Sequence, residues 1–378
     1  MISRLLYPII EERWNSGKAI IILGPRQVGK TTLLKTICGA KGDFLSLDAD
    51  DIEVRKALDN PNLFSLKQLI GEYTTVFIDE AQRVNNIGIT LKMITDQLPH
   101  IRLLVSGSSA LELANTINEP LTGRKWEYLM LPISWQELVT NQGYLNTKSQ
   151  LGTRLIYGMY PDVINQVGDE KEVLKQLSSS YLYKDLLSYT GIRKPIIIEK
   201  LLTALAYQIG SEVSYNELSQ LLQIDRATVE NYLNLLEKAY IIFRLQPLSR
   251  NLRNEINTSR KIYFYDNGIR NAILVDFRPT DSRNDIGALW ENFLVSERQK
   301  SLIYQRIWAK SYFWRTYQQQ EIDYIEETDG MIAAFEFKWN KKAKAKFSTT
   351  FLESYKPVKT QVIHQENFEE FLNFNLNI

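Results

Sequence analysis

The stretch Gly24-Pro25-Arg26-Gln27-Val28-Gly29-Lys30-Thr31-Thr32 places two glycines, a lysine and a hydroxyl at the spacing GxxxxGK[ST], which suits a chain of phosphates. Gly24 and Gly29 let the backbone curl until successive N–H groups face one anion, and a helix beginning there adds its partial positive charge. Lys30 would then reach the β- and γ-phosphates, and Thr31 would turn its hydroxyl to a magnesium ion. All of Gly24 to Thr32 is therefore assigned to nucleotide binding. A second pair, Asp79-Glu80, ends the apolar run Thr74 to Ile78. Asp79 would hold the metal through water, and Glu80 would polarise a water attacking the terminal phosphate. Ser106 or Ser108, in Ser106-Gly107-Ser108-Ser109 at the tip of the run Ile101 to Val105, can touch the γ-phosphate or that water, or else only cap the next helix. Ser108 is the catalytic candidate of the two. Arg124 offers an arginine finger, within one chain or across a subunit interface, or is a plain surface charge.

A second set of chemical residues lies near the C-terminus. Glu321 and Asp323 share one face of a strand, Glu336 and Lys338 share a face of the next, and the turn Thr328-Asp329-Gly330 joins them as a hairpin. With Glu291 from a preceding helix, Asp323 and Glu336 could hold one or two Mg²⁺ or Mn²⁺ ions on a phosphodiester while Lys338 positions a hydroxide. A charged hairpin on a sheet edge gives the same pattern without chemistry. Lys341, Lys342, Lys344 and Lys346 could follow a nucleic-acid backbone or serve solubility.

Strands must deliver the first set. Ala19 to Leu23 (AIIIL) reads as a buried strand running into the phosphate loop, with a helix from Thr31 to Cys38 after it. Asp43 to Leu47, Thr74 to Ile78, Ile101 to Val105 and Trp126 to Leu131 read as further strands, with a helix over Ile89 to Leu98. Alternating strands and helices predict a parallel α/β sheet with its ligand at the carboxyl ends of the strands. A strand between the loop and the acidic pair, with Glu80 as base, points to the additional-strand class of P-loop ATPases.

Beyond a polar stretch at Leu138 to Thr153, helices are expected over Pro161 to Tyr189 and Ile196 to Ile209. Ser214 and Glu217 form a capping box for a helix ending at Leu222, Gln223-Ile224-Asp225 makes a turn, a third helix covers Ala227 to Ala239, and Tyr240 to Leu245 reads as a strand. That order predicts a winged helix-turn-helix, which either reads DNA through Arg226, Thr228 and Asn231 or serves as a lid or protein contact. Arg244, Arg250, Arg253, Arg260, Lys261 and Arg270 face only Glu255 and Asp266 over residues 241–270, a basic stripe that favours nucleic acid. The expected division is 1–140 ATPase, 141–194 helical connector, 195–250 winged helix-turn-helix and 251–378 α/β nuclease-like domain.

The chain of 378 residues carries 45 Lys+Arg and 44 Asp+Glu, is 44% hydrophobic and 24% charged, and so excludes disordered, collagenous and coiled-coil classes. Its near-neutrality is a sum of segregated blocks. Residues 43–80 hold nine acids against three bases, and residues 338–359 hold seven lysines against Glu353. No apolar run is long enough for a membrane span, so no membrane partner is expected. One cysteine, Cys38, and no secretory leader point to the cytoplasm, and two histidines leave little for a His-based triad.

GPRQVGKTT, FIDEAQ, SGSS and LTGR, followed by Pro132-Ile133-Ser134-Trp135-Gln136-Glu137-Leu138, resemble the AAA+-like bacterial and archaeal ATPases of the AAA_14/DUF4143 type. The resemblance runs on through the chain. It implies ATP as ligand with Mg²⁺, a helical connector that includes Tyr181 to Leu186, and a C-terminal PD-(D/E)xK nuclease-like fold carrying Glu291, Asp323, Glu336 and Lys338; ATPases of this kind often assemble into homo-oligomeric rings, and ring, dimer and monomer all stay open here. Two functions follow as expectations: ATP hydrolysis moving domains that bind DNA or RNA and cut it, or an ATP-dependent switch whose nuclease-like part is an inactive binding module.

Overall fold

β-Branched and aliphatic side chains set the first sheet. In a computed structural model, which describes residues 2–108, 117, 120–178, 195–249, 260–343 and 345–376, the run AIIIL forms strand β1 (Ala19–Leu23), buried along its whole length. Strands β2 (Leu45–Asp48), β3 (Thr75–Asp79), β4 (Arg102–Gly107) and β5 (Lys125–Leu129) join it in the order β2-β3-β4-β1-β5, every pairing parallel. Thus β4 sits between the strand that feeds the phosphate loop and the strand that ends in Asp79. One face of the sheet presents Ala19, Ile21, Val76, Ile78, Leu103 and Val105, packed with Leu66, Ile87, Leu91 and Ile94 from helices. Each Val, Leu or Ile side chain so withdrawn from water contributes about 1.5–3 kcal/mol.

Two compact units divide the chain: residues 1–141 with 238–240, and residues 142–237 with 241–378. In the second, helices Pro195–Tyr207, Tyr215–Leu222 and Arg226–Lys238 surround a short strand β6 (Glu212–Val213) and precede β7 (Ile242–Pro247) and β8 (Arg260–Phe264). Ser214 caps the second of these helices through the N–H of Glu217, and Asp225 caps the third through the N–H of Thr228 at 2.8 Å. The strand expected from Tyr240 starts two residues later because Tyr240 holds φ 57°, a left-handed turn that an extended chain cannot include.

The sheet does not stop at β8. Strands β9 (Lys310–Arg315), β10 (Glu321–Thr328), β11 (Met331–Phe337) and β12 (Lys359–Ile363) continue it, in the order β12-β11-β10-β9-β7-β8-β6 among the described residues. The joint is the parallel pairing of Gln246 with Tyr312 and Pro247 with Phe313. Strands on both sides of the division expected at residue 250 therefore share one sheet. Trp314, Ile322, Ile325, Ala334 and Phe351 pack together on it. Beneath β10, Arg298 and Glu326 form a bidentate pair at 2.6 and 2.8 Å with side chains 0% and 1% exposed, tying helix Ile286–Tyr304 to the strand. Much of the expected connector, including Tyr181 to Leu186, lies outside the described residues, as do Ser109, Arg250, Arg253 and Lys344.

Candidate functional site

The phosphate loop is built from positive φ angles. Gly24, Gln27 and Gly29 hold φ 150°, 59° and 94°, and the helix Lys30–Lys41 begins directly after them. Gly24 is required for space as well as for angle: a Cβ there would lie 2.0 Å from the carbonyl oxygen of Met130. Strand β5 causes this, because the N–H of Met130 bonds to Leu23 O at 2.8 Å and brings its backbone against the start of the loop. Lys30 is buried, and its Nζ donates to the carbonyls of Gly24 at 2.8 Å and Pro25 at 2.7 Å. Arg4 braces the loop from behind. Its guanidinium donates to Val28 O and Leu131 O, both at 2.6 Å, and pairs with Glu137 at 3.0 Å, all buried. No motif marks Arg4; only a buried, long-range partner set reveals it.

Asp79 and Glu80 emerge at the same carboxyl edge, from β3. Asp79 is buried, and its Oδ1 accepts from the Ser106 hydroxyl and, at 3.1 Å, from the N–H of Glu80. Glu80 holds φ 50°, uncommon for a residue with a side chain and a feature that collects at functional sites. Gln82 donates through Nε2 to the Glu80 carboxylate and to Ser108 Oγ, the latter at 2.9 Å. The two serines thus divide: Ser106 bonds to Asp79, and Ser108 meets Glu80 through Gln82. Gln82 closes the FIDEAQ stretch, but its residue type alone assigns it no role; the folded turn shows its two partners.

Arg124 is placed elsewhere. It precedes Lys125, which pairs with Ala19 at the start of β1, whereas the phosphate loop follows Leu23 at the other end. The length of the strand, five residues at about 3.3 Å each, separates them. Its guanidinium bonds to Asp96 and to the carbonyl of Thr122. A finger reaching the phosphate loop of its own chain is therefore corrected by the direction of β5.

The second unit brings Glu291, Asp323, Glu336 and Lys338 into one cluster, with three further members. Lys261, on β8, sets its Nζ 3.0 Å from Glu291 Oε1 and 2.6 Å from Glu321 Oε1. The Tyr263 hydroxyl donates to the same Glu291 oxygen at 2.7 Å. Lys338 Nζ lies 3.0 Å from Glu336 Oε2 and 3.6 Å from Asp323 Oδ2, which also accepts the Phe337 N–H at 2.8 Å. The β9–β10 pairing shifts register between Ile322 and Ile325, the stretch that carries Asp323. Burial, aided by the charge of Asp323, pushes the carboxyls of Glu291 and Glu336 up to about 7, against the pull of Lys261 and Lys338. Burial would lower Lys261, but Glu291, Asp323 and Glu321 outweigh it and hold the ammonium above its usual range.

These residues do not fit the divalent ion expected here. Ammonium, hydroxyl and amide donors take an oxygen of each carboxylate, and two ammonium groups stand where a divalent cation would sit among them. The basic stripe is likewise not an open face among the described residues. Arg244 pairs with Glu237, Arg270 is buried against Asp285 at 2.7 Å and Ala206 O, and Lys261 serves the cluster just described. Lys341 pairs with Glu366. Counting charges along the sequence could not show these partners within the folded chain. Cys38 is buried and its thiol pushed up to about 12 by that burial, which removes it as a nucleophile. No helix among the described residues is long and apolar enough to cross a membrane.

Three stretches match family models: residues 16–139 an AAA domain (AAA_14), residues 148–280 a domain of unknown function (DUF8612), and residues 286–375 a domain of unknown function (DUF4143). Uncharacterized proteins of Mycobacterium bovis and Mycobacterium tuberculosis are each 29% identical over 328 residues, covering 84% of this chain and 70% of theirs. An uncharacterized protein of Methanocaldococcus jannaschii is 26% identical over 319 residues, 72% of this chain and 67% of its own. Among solved structures, the Walker-type ATPase of Pyrococcus abyssi aligns with a TM-score of 0.51 at 17% identity, over 72% of this chain and 96% of that one. That likeness is one of fold: the first unit has the P-loop α/β fold of an AAA domain.

Proposed function

We propose that the first unit binds ATP with Mg²⁺ and hydrolyses it, and that the second unit is a non-catalytic binding module that responds to the nucleotide. One observation carries this reading: the phosphate loop, the Asp79–Ser106 pair and the Glu80–Gln82–Ser108 chain converge at one edge of a parallel sheet. The loop amides and the N-terminus of helix Lys30–Lys41 would hold the phosphates. Lys30 would exchange its two carbonyl partners for β- and γ-phosphate oxygens. The Thr31 hydroxyl and the Asp79 carboxylate are hard oxygen donors suited to magnesium, and the bond from Ser106 fixes Asp79 in place. Magnesium, when bound, neutralises the phosphate charge. Glu80 would accept the proton of the attacking water, oriented by Gln82 and Ser108. Arg124 keeps a finger role only toward another copy of the chain.

The second unit enters as a module and not as a nuclease because its carboxylates are already paired. Its helices and the β7–β8 strands support a winged helix-turn-helix reading in which protein contact outweighs DNA, since Arg244, Lys261 and Arg270 are engaged internally.

Calorimetric titration with ATP and MgCl₂ tests the core of the proposal. The native protein is expected to bind saturably, and Lys30→Ala to bind about 10²-fold more weakly, the loss of a charged hydrogen bond near 3 kcal/mol. Absence of ATP binding by the native protein would sink it.

A further inference from the structure

We propose that Lys261 is the resident cation of the carboxylate cluster in the second sheet, so that the native cluster is a closed ion-pair network which excludes divalent metal. The proposal goes beyond the nucleotide reading and does not depend on it. Its ground is the position of one ammonium. Lys261 Nζ stands 3.0 Å from Glu291 and 2.6 Å from Glu321, with its side chain 2% exposed. A Mg²⁺ ion needs carboxylate oxygens at about 2.0–2.1 Å, and here the near oxygens of both glutamates already face that ammonium. A metal entering between them would meet a like charge at close range in a partly dry site.

Lys261 is held there by the chain around it. On β8 it pairs with Leu245 of β7 on one side and Glu212 of β6 on the other, and its ammonium stands over the face of the Phe313 ring, 5.7 Å from Nζ to centroid. A buried ammonium without carboxylate partners is strongly disfavoured. The ladder fixes where Lys261 emerges, and burial then requires Glu291 and Glu321 to remain its partners. On the other side of the cluster Lys338 does the same for Asp323 and Glu336. The network joins β8, helix Ile286–Tyr304 and the β10–β11 hairpin, three separate stretches of the chain, and its role is to hold them in register.

The test is Mn²⁺ titration without nucleotide, followed by calorimetry and by thermal unfolding. In the native protein, Asp323→Asn is expected to leave the Mn²⁺ isotherm unchanged. Lys261→Met, with its carboxylates released, is expected to gain a Mn²⁺ site at least tenfold tighter than any in the native protein, with a metal-dependent rise in melting temperature. Adding Glu291→Gln to Lys261→Met should remove that site again. A saturable native Mn²⁺ site that disappears in Asp323→Asn overturns the proposal, as does a folded Lys261→Met that gains no metal. If Lys261→Met does not fold, the native and Asp323→Asn isotherms decide alone. Because ATP is absent throughout, neither result bears on the P-loop reading.

Discussion

Replacing Glu80 with glutamine is expected to lower ATP turnover by about 10²–10⁴-fold, the usual contribution of a positioned general base, while ATP continues to bind. The substitution keeps the shape of the side chain and removes only its capacity to take a proton. The turn that presents it is set by the backbone, φ 50° at Glu80 followed by the 3-10 helix Ala81–Arg83, and should survive. What changes is the bond with Gln82: two amides would then face each other, and the link to Ser108 at 2.9 Å would be free to reorient. Gln82→Ala, which leaves the base and removes only its orientation, should fall between native and Glu80→Gln. Phosphate release measured beside calorimetric ATP affinity separates the two effects. Turnover within tenfold of native in Glu80→Gln would place the base elsewhere.

How far the sequence reveals this site depends on the range over which each feature is determined. The shape of the loop between β1 and the helix Lys30–Lys41 was legible because its constraints are local: glycine for positive φ, a lysine one residue later, a β-branched strand before and a helix after. Asp79 and Glu80 followed from an apolar strand ending in acids, and the parallel sheet from alternating periods. In sequence Arg124 stands between a finger within the chain, a finger across an interface and a surface charge because a residue's type says nothing about which end of a strand it precedes; the pairing of Ala19 with Lys125 supplies that. Lys261 shows the same gap from the other side. In sequence it belongs to a run of six cations, yet the ladder of β6, β7 and β8 turns it inward to Glu291, thirty positions away. Alternation correctly placed Glu336 beside Lys338 and both near Asp323, since residues two apart share a strand face. It could not give the third strand that contributes a second ammonium.

Arg4 carries the largest stability effect expected in the first unit. Arg4→Met should destabilise that unit by about 3–5 kcal/mol, because it leaves the Glu137 carboxylate buried without its cation and also releases two carbonyls. Glu137, 1% exposed, would retain the N–H groups of Leu5 and Ser134, both at 2.8 Å. Those neutral donors do not balance a full charge in a dry site. The effect should reach the phosphate loop, since one of the released carbonyls belongs to Val28 within it. A loop no longer braced there must be ordered by the nucleotide itself, so ATP affinity should fall roughly tenfold, about 1.4 kcal/mol. The double variant Arg4→Met/Glu137→Leu removes the stranded charge and should recover part of the folding stability. It cannot restore the bond to Val28 O, so affinity should stay low. Denaturant midpoints and ATP titrations on the same three proteins read the two effects independently. A loss below 1 kcal/mol in Arg4→Met, or an affinity that returns together with stability in the double variant, would show that Arg4 does not brace the loop.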